Sequence, residues 1–220
     1  MCRKLKADEI ECRVGTCNEK GCSLLLYKTA RTDRAILTEM YGDLWQNDYK
    51  SIDGKMYCGI AIYNKDLKEW IWRWDVGRES NTEAVKGESS DSFKRAGFRF
   101  GIGIELYTAP FIWCNVPTVK NANGKYQPVS KSFNLKEIGY AENGDINKLV
   151  ITDDKDNIVY KTGQYIKPVN PDDKLIKELN SKKDLDSLKL YYLSNYEKAV
   201  DKKAFTEAKE KKKKELSNGK

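Results

Sequence analysis

Histidine is absent from all 220 residues. Without an imidazole there is no Ser-His or Cys-His nucleophile pair, no histidine proton shuttle and none of the common catalytic zinc sites. Metal chemistry built on carboxylates alone stays open. Long apolar runs are missing too. No window offers roughly 18 consecutive apolar residues, so no membrane-spanning helix is expected. The opening residues, MCRKLKADEIECRV, have no apolar centre and do not read as a secretion signal. No G-x-x-x-x-G-K-[ST] occurs, which removes the ATP-binding P-loop. Gly101-Ile-Gly103 is the nearest approach to a dinucleotide loop, but it follows a helical stretch and lacks a third glycine in register.

The 6 cysteines include the spacing Cys12-x4-Cys17-x4-Cys22, without the C-x2-C pairs of structural zinc sites. Reduced thiols in a reducing cytosol are the expectation. The net charge of +7 is a moderate basic excess that permits a phosphate-rich partner without requiring one. With 33% charged and 40% apolar residues, the chain should form one good core, with part of its length left as solvated helix or tail.

Alternation and turn residues set out the elements. Glu11–Thr16 and Ser23–Lys28 read as two strands joined at Asn18-Glu19-Lys20-Gly21. A short helix follows, with Ala35, Ile36, Met40 and Tyr41 on one face and Gly42 as its stop. Leu44–Ile52, Lys55–Tyr63 and Glu69–Val76 form an antiparallel meander, turned at Asp53-Gly54 and Asn64-Lys65-Asp66. A second helix should start at a Ser80/Glu83 capping box and end at Gly101. Its Phe93, Ala96, Gly97 and Phe100 share one face, with small residues where it meets the sheet. Asp91, Lys94, Arg95, Phe98 and Arg99 share the other. Beyond a loop around Pro117 and Pro128, strands are expected at Ser132–Tyr140, Lys148–Thr152 and Ile158–Lys161. From Asp172 to Glu215 the composition is helical, ending in Lys211–Lys214.

The fold expected is α+β: an antiparallel β-β-β-α core (a β-meander packed on a helix) with an N-terminal hairpin, an extra β-hairpin and a C-terminal helical extension. The divisions are 1–114 for the core, 115–168 for a loop and hairpin of the same domain, and 169–220 for the lysine-rich tail.

Two groupings carry chemistry. Lys94, Arg95 and Arg99 crowd one helix face, where like charges repel unless an anion or acidic neighbour offsets them. A phosphate backbone is one such anion; Asp91 pairing with Arg95 is the plainer alternative. Trp70, Trp72 and Trp74 alternate onto one strand face, with Ile71 and Arg73 on the other. Such rings can stack bases. The competing reading, that they fill the sheet core or a subunit contact, is favoured for at least two of them. Asp153-Asp154 and Asp172-Asp173 fall in turn or cap contexts, and Glu69, Asp75 and Asp91 form no nuclease pattern.

The ordered set Arg34-Ala-Ile-Leu-Thr-Glu-Met-Tyr-Gly42 with Trp45, Gly54-Lys-Met-Tyr-Cys-Gly-Ile60, Trp74-Asp-Val-Gly77 and Asp91-Ser-Phe-Lys-Arg-Ala96 with Phe100-Gly101 resembles the Rad-fifty-two type of single-strand DNA annealing proteins, in particular its phage-encoded branch. The resemblance implies a ring-forming homo-oligomer for homologous recombination that lays single-stranded DNA in a basic groove and pairs strands without ATP. It implies no cofactor, no bond-breaking activity and residence in the cytoplasm of a host cell. By motif position Arg34, Lys94 and Arg95 match the groove-lining cations. Three positions after Arg95 the family often has another basic residue; here Phe98 stands there and Arg99 follows. Lys65 and Lys86 are counterparts of a secondary, outer-rim DNA site. The C-terminal helix would serve assembly or a partner such as a single-strand-binding protein or an exonuclease. The alternatives from other classes are a structural, scaffolding oligomer without DNA and a metal-dependent nuclease.

Overall fold

The computed structural model describes residues 2–78, 84–166 and 172–218, the side chains of 84–86 and 218 excepted. The fold is mixed α+β, with antiparallel sheets and five α-helices among those residues. In chain order the elements are β1 (Glu11–Asn18), β2 (Gly21–Tyr27), α1 (Ala30–Tyr41), β3 (Trp45–Ile52), β4 (Lys55–Asn64), β5 (Glu69–Val76), α2 (Ala84–Arg99), β6 (Ile112–Cys114), β7 (Thr118–Lys120), β8 (Tyr126–Pro128), β9 (Phe133–Tyr140), β10 (Ile146–Asp153), β11 (Ile158–Lys161), α3 (Asp173–Asn180), α4 (Leu185–Asn195) and α5 (Lys202–Asn218). None of the described helices is long and apolar enough to cross a membrane.

The chain divides into two compact units. The first comprises Met1–Thr16, Ser23–Cys114 and Lys131–Ile166; the second comprises Cys17–Cys22, Asn115–Ser130 and Lys167–Lys220. Breaks between the units fall at 114/115 and 166/167, at and near the expected divisions, and residues 131–166 group with the first unit. The physical reason is strand pairing: β9 joins β1 antiparallel, with Cys12 opposite Phe133. Strands β9, β10 and β11 are therefore part of the same sheet as the N-terminal hairpin. The sheet runs β11-β10-β9-β1-β2-β6, and its end strands β6 and β11 come back toward each other, so it is nearly closed and barrel-like. Leu24, Ile112, Phe133, Leu135, Leu149 and Ile151 are among its buried side chains.

The other sheet of the first unit is β3-β4-β5, paired in unbroken register from Trp45 opposite Ile62 to Asn64 opposite Glu69. Asp53 and Gly54 turn its first hairpin at φ 51° and 74°, the left-handed pair that a two-residue hairpin loop requires. Helix α2 packs on β4 and β5. Its Glu88 accepts a hydrogen bond from the Met56 N–H at 2.7 Å, and Phe93 meets Trp45 edge-on at 6.4 Å between ring centroids. Because strand side chains alternate, Cys58, Ile60, Arg73 and Asp75 face α2, whereas Gly59, Ala61, Trp70, Trp72 and Trp74 face away from it.

That alternation removes the sheet-core half of the tryptophan reading for two of the rings and leaves the subunit contact open. Within this chain Trp70 and Trp72 are not core: each is 38% exposed, on the open face. Trp74 lies flat over Gly59, where a Cβ would fall 2.5 Å from the indole.

Two helix faces also differ from expectation. In α1 the buried residues are Asp33, Ile36 and Leu37, while Ala35 and Met40 are exposed. Hydropathy misses Asp33, because it is buried as half of an ion pair. In α2, Phe93, Ala96 and Gly97 are buried as expected, with Ser92. The close neighbour of Gly97, however, is that ion pair and not the sheet: a Cβ there would lie 2.7 Å from Asp33 Oδ2. The Ser80/Glu83 cap lies outside the described residues.

In the second unit, β7 and β8 form a short hairpin, and the Thr118 hydroxyl donates to the Asn18 carbonyl at 2.8 Å. The C-terminal segment is more than a solvated extension. Leu179, Leu188, Ala199 and Phe205 form a buried cluster among α3, α4 and α5. The Asp172 carboxylate accepts from the Val200 and Asp201 N–H groups at 3.1 and 2.8 Å, and Asp184 caps α4 through the Ser187 N–H.

Candidate functional site

A cleft of about 560 Å³ opens in the first unit between β2, α2 and the segment from Leu106 to Ile112. Its lining is mostly apolar and aromatic. Lys28, Asp91, Lys94 and Arg95 supply the charge.

The site is built on a buried ion pair that the sequence reading did not single out. Lys28 Nζ lies 2.7 and 2.6 Å from the two Asp33 carboxylate oxygens, with both side chains out of solvent. The same ammonium donates to the Lys94 carbonyl at 3.1 Å and sits 4.0 Å from the Phe98 ring centroid. It therefore ties β2 to the middle of α2. Burial pushes the Asp33 carboxyl up to about 6, against the pull of Lys28. Burial likewise lowers Lys28, against the pull of Asp33. A pair so desolvated contributes little net stability, but losing one partner is costly.

Above this pair, Lys94 Nζ lies 3.5 Å from Asp91 Oδ1. The expected Asp91–Arg95 pairing does not form. Asp91 turns to Lys94 and to the Arg78 N–H, while Arg95 turns to Asp75. Arg95 Nε stands 3.2 Å from one Asp75 oxygen and Arg99 Nε 2.9 Å from the other. Burial alone would raise the Asp75 carboxyl. The Val76 N–H, Arg99 and Arg95 outweigh it and hold Asp75 below the usual carboxylate range. Both bonds use Nε. Among the described residues, the terminal guanidinium nitrogens of Arg95 and Arg99 have no hydrogen-bond partner, and these are the forked donors that match phosphate. Arg73 joins the group, donating to the Arg99 carbonyl with its guanidinium 4.7 Å from the Phe100 ring. Arg73, Arg95 and Arg99 against Asp75 leave two positive charges in excess.

The other expected site residues are dispersed. Arg34 is exposed and stacks over Phe93 at 4.6 Å; among the described residues it makes no ion pair with this cluster. Lys65 is exposed at the β4–β5 turn, six strand residues from Asp75, about 20 Å along β5. The Lys86 side chain lies outside the described residues. Lys28, Asp33 and Arg73 were missed, as was the role of Asp75. For Asp75 and Arg73 the signal was present: the alternation that sends three tryptophans one way sends both residues toward α2.

A second aromatic surface and the cysteines complete the picture. On the open sheet face, Trp72 and Trp74 lie near-parallel at 5.4 Å, with Lys50 Nζ 4.4 Å from the Trp74 ring. Cys2, Cys12, Cys17, Cys22 and Cys58 are free thiols, and burial pushes Cys12 and Cys58 up to about 11, so neither is a ready thiolate.

No protein-family model, curated protein or solved structure matches this chain.

Proposed function

We propose that the chain binds single-stranded DNA at this cleft and anneals complementary strands without nucleotide hydrolysis, as copies assembled in a ring. One observation carries the reading: Lys94 and Arg95, adjacent on α2, both line an open cleft whose walls are mostly apolar and aromatic. In this reading β3, β4, β5 and α2 act as a β-β-β-α core whose helix presents the strand-holding cations. Two complementary strands repel through their phosphates, and each folds on itself. Lys and Arg side chains offset the backbone charge and hold the strand extended, and base pairing then drives the reaction. Phosphate contacts carry no base information, so sequence preference is weak. Arg34 extends the groove from α1, and Lys65 and Lys86 belong to a second, weaker contact. The second unit, with the lysines of α5, recruits a single-strand-binding protein or an exonuclease in the host cytoplasm.

The test mixes complementary dye-labelled oligonucleotides with the protein, with a chelator and without ATP. Annealing several times faster than the spontaneous reaction supports the proposal; an unchanged rate counts against it.

A specific observation favours a second reading, a structural oligomer without a DNA role. Asp75 and Asp91 already neutralise part of the charge on Arg95, Arg99 and Lys94. A salt-titrated gel shift separates the two: the structural oligomer gives no salt-dependent shift. The nuclease alternative gains nothing from these carboxylates, since Asp75 and Asp91 are engaged by cations and Glu69 stands at the far end of β5.

A further inference from the structure

Two strongly exposed aromatic rings of the first unit border the same cleft. Tyr107 is 72% exposed and Phe111 78% exposed, although Tyr107 lies in the 3₁₀ turn Ile104–Thr108 and Phe111 immediately precedes β6. Each is backed by a second ring. Tyr107 leans on Phe98 at 5.0 Å between centroids, and Phe98 is in turn held by Lys28. Phe111 lies near-parallel to Trp113 at 6.4 Å, with 20° between the planes. The rings are thus fixed in place while most of their surface stays in water, which costs free energy unless something covers it.

We infer that Tyr107 and Phe111 are base-stacking platforms, so that a single strand entering the cleft sets bases on these two rings while its phosphates meet Lys94 and Arg95. The inference rests on the single-strand reading above and adds base contacts to its phosphate contacts. Charge decides between this surface and the other aromatic one. On the open sheet face Lys50 and Lys55 stand against Asp48, one positive charge in excess. At the cleft, Lys28 and Asp33 cancel beneath the surface, and Lys94 and Arg95, with the adjoining Arg73 and Arg99, stand against Asp91 and Asp75, two positive charges in excess. A polyanion with flat apolar bases fits the cleft on both counts.

The experiment measures fluorescence anisotropy of two labelled strands of equal length, an oligo-dT and the same phosphodiester chain without bases, over a salt series. Variants are Tyr107→Ala with Phe111→Ala, and Phe111→Trp as the conservative change. The wild type should bind oligo-dT about tenfold or more tighter than the abasic strand. The double alanine variant should lose most of that difference and keep the abasic affinity and the salt slope. Phe111→Trp should retain it. Because both rings are exposed, their truncation removes little core packing, and circular dichroism checks the fold. Equal wild-type binding of the two strands overturns the stacking role and leaves the phosphate reading standing. Loss of self-association in the double variant, with the preference for bases intact, overturns it by assigning the rings to a contact between copies. Failure of the wild type to bind either strand overturns both readings together.

Discussion

Asp75 on β5 holds two arginines of α2 at once, Arg95 through one carboxylate oxygen and Arg99 through the other. One negative charge serving two positive ones leaves the helix face cationic, and the use of Nε in both contacts leaves the forked ends free among the described residues. Asp75 is in this account a brake on strand binding as well as a strut for α2. Asp75→Asn should tighten single-strand binding several-fold and steepen the log–log salt slope by about 0.7. Anisotropy titrations read both. The structural-oligomer reading expects lower stability and no change in binding.

The buried pair beneath the cleft gives a sharper signature than its net strength suggests. Lys28→Met alone leaves the buried Asp33 carboxyl without its partner and should destabilise the fold by about 3–5 kcal/mol. Lys28→Met with Asp33→Leu should cost far less than either single change. Denaturant unfolding of the three variants checks the non-additivity; additive costs would show that the two groups act separately.

Acid stability follows chiefly from three depressed carboxyls that are buried or partly buried. The hydrogen bond from Arg3 lowers Glu9. For Asp75 and Asp153, burial pushes upward but is outweighed, by Val76, Arg99 and Arg95 in the first case and by Asn157 and Lys155 in the second. A carboxyl depressed in the folded state contributes stability that is complete above its ordinary value, 4.5 for Glu9 and 3.8 for the two aspartates, and is lost as pH falls through the lower folded value. Asp33 has the opposite sign: raised to about 6 from 3.8, its contribution is complete below 3.8 and lost as pH rises toward 6. Tm should therefore fall steeply only below about pH 4. Asp153→Asn, which keeps an acceptor for the turn N–H groups, should make that limb shallower. An unchanged limb would remove Asp153 from the explanation.

Gly59 gives Trp74 its seat. Gly59→Ala puts a methyl 2.5 Å from the indole, so the ring must lift. The change should destabilise the fold by about 1–3 kcal/mol and shift tryptophan emission to longer wavelength. Unaltered emission would mean that the indole does not rest on the strand.

Much of the fold was legible because its signals are local. Asp53-Gly54 fixed one hairpin, alternation from Glu69 to Val76 fixed the faces of β5, and Gly42 marked the end of α1, its N–H bonding to the Thr38 carbonyl. What depends on pairing across long separations was not legible. Nothing near Cys12 signals that it lies opposite Phe133, so the sheet joining the two ends of the first unit went unforeseen. Polar burial was equally hidden. Lys28 and Asp33 read as surface charges until the tertiary structure brings them together under α2. At the site, the spacing of Lys94, Arg95 and Arg99 correctly put them on one partly solvated helix face. It could not tell that Asp75, on a neighbouring strand, would take two of them, or that Arg34 would turn to Phe93 instead.

The most direct test of the central claim is the salt dependence of single-strand binding by the wild type and by Lys94→Ala with Arg95→Ala, both checked for native circular dichroism. The account predicts weaker binding across all salt concentrations and a slope shallower by about 1.4, the share of two phosphate contacts on a single strand. Coincident curves for a folded variant would contradict it.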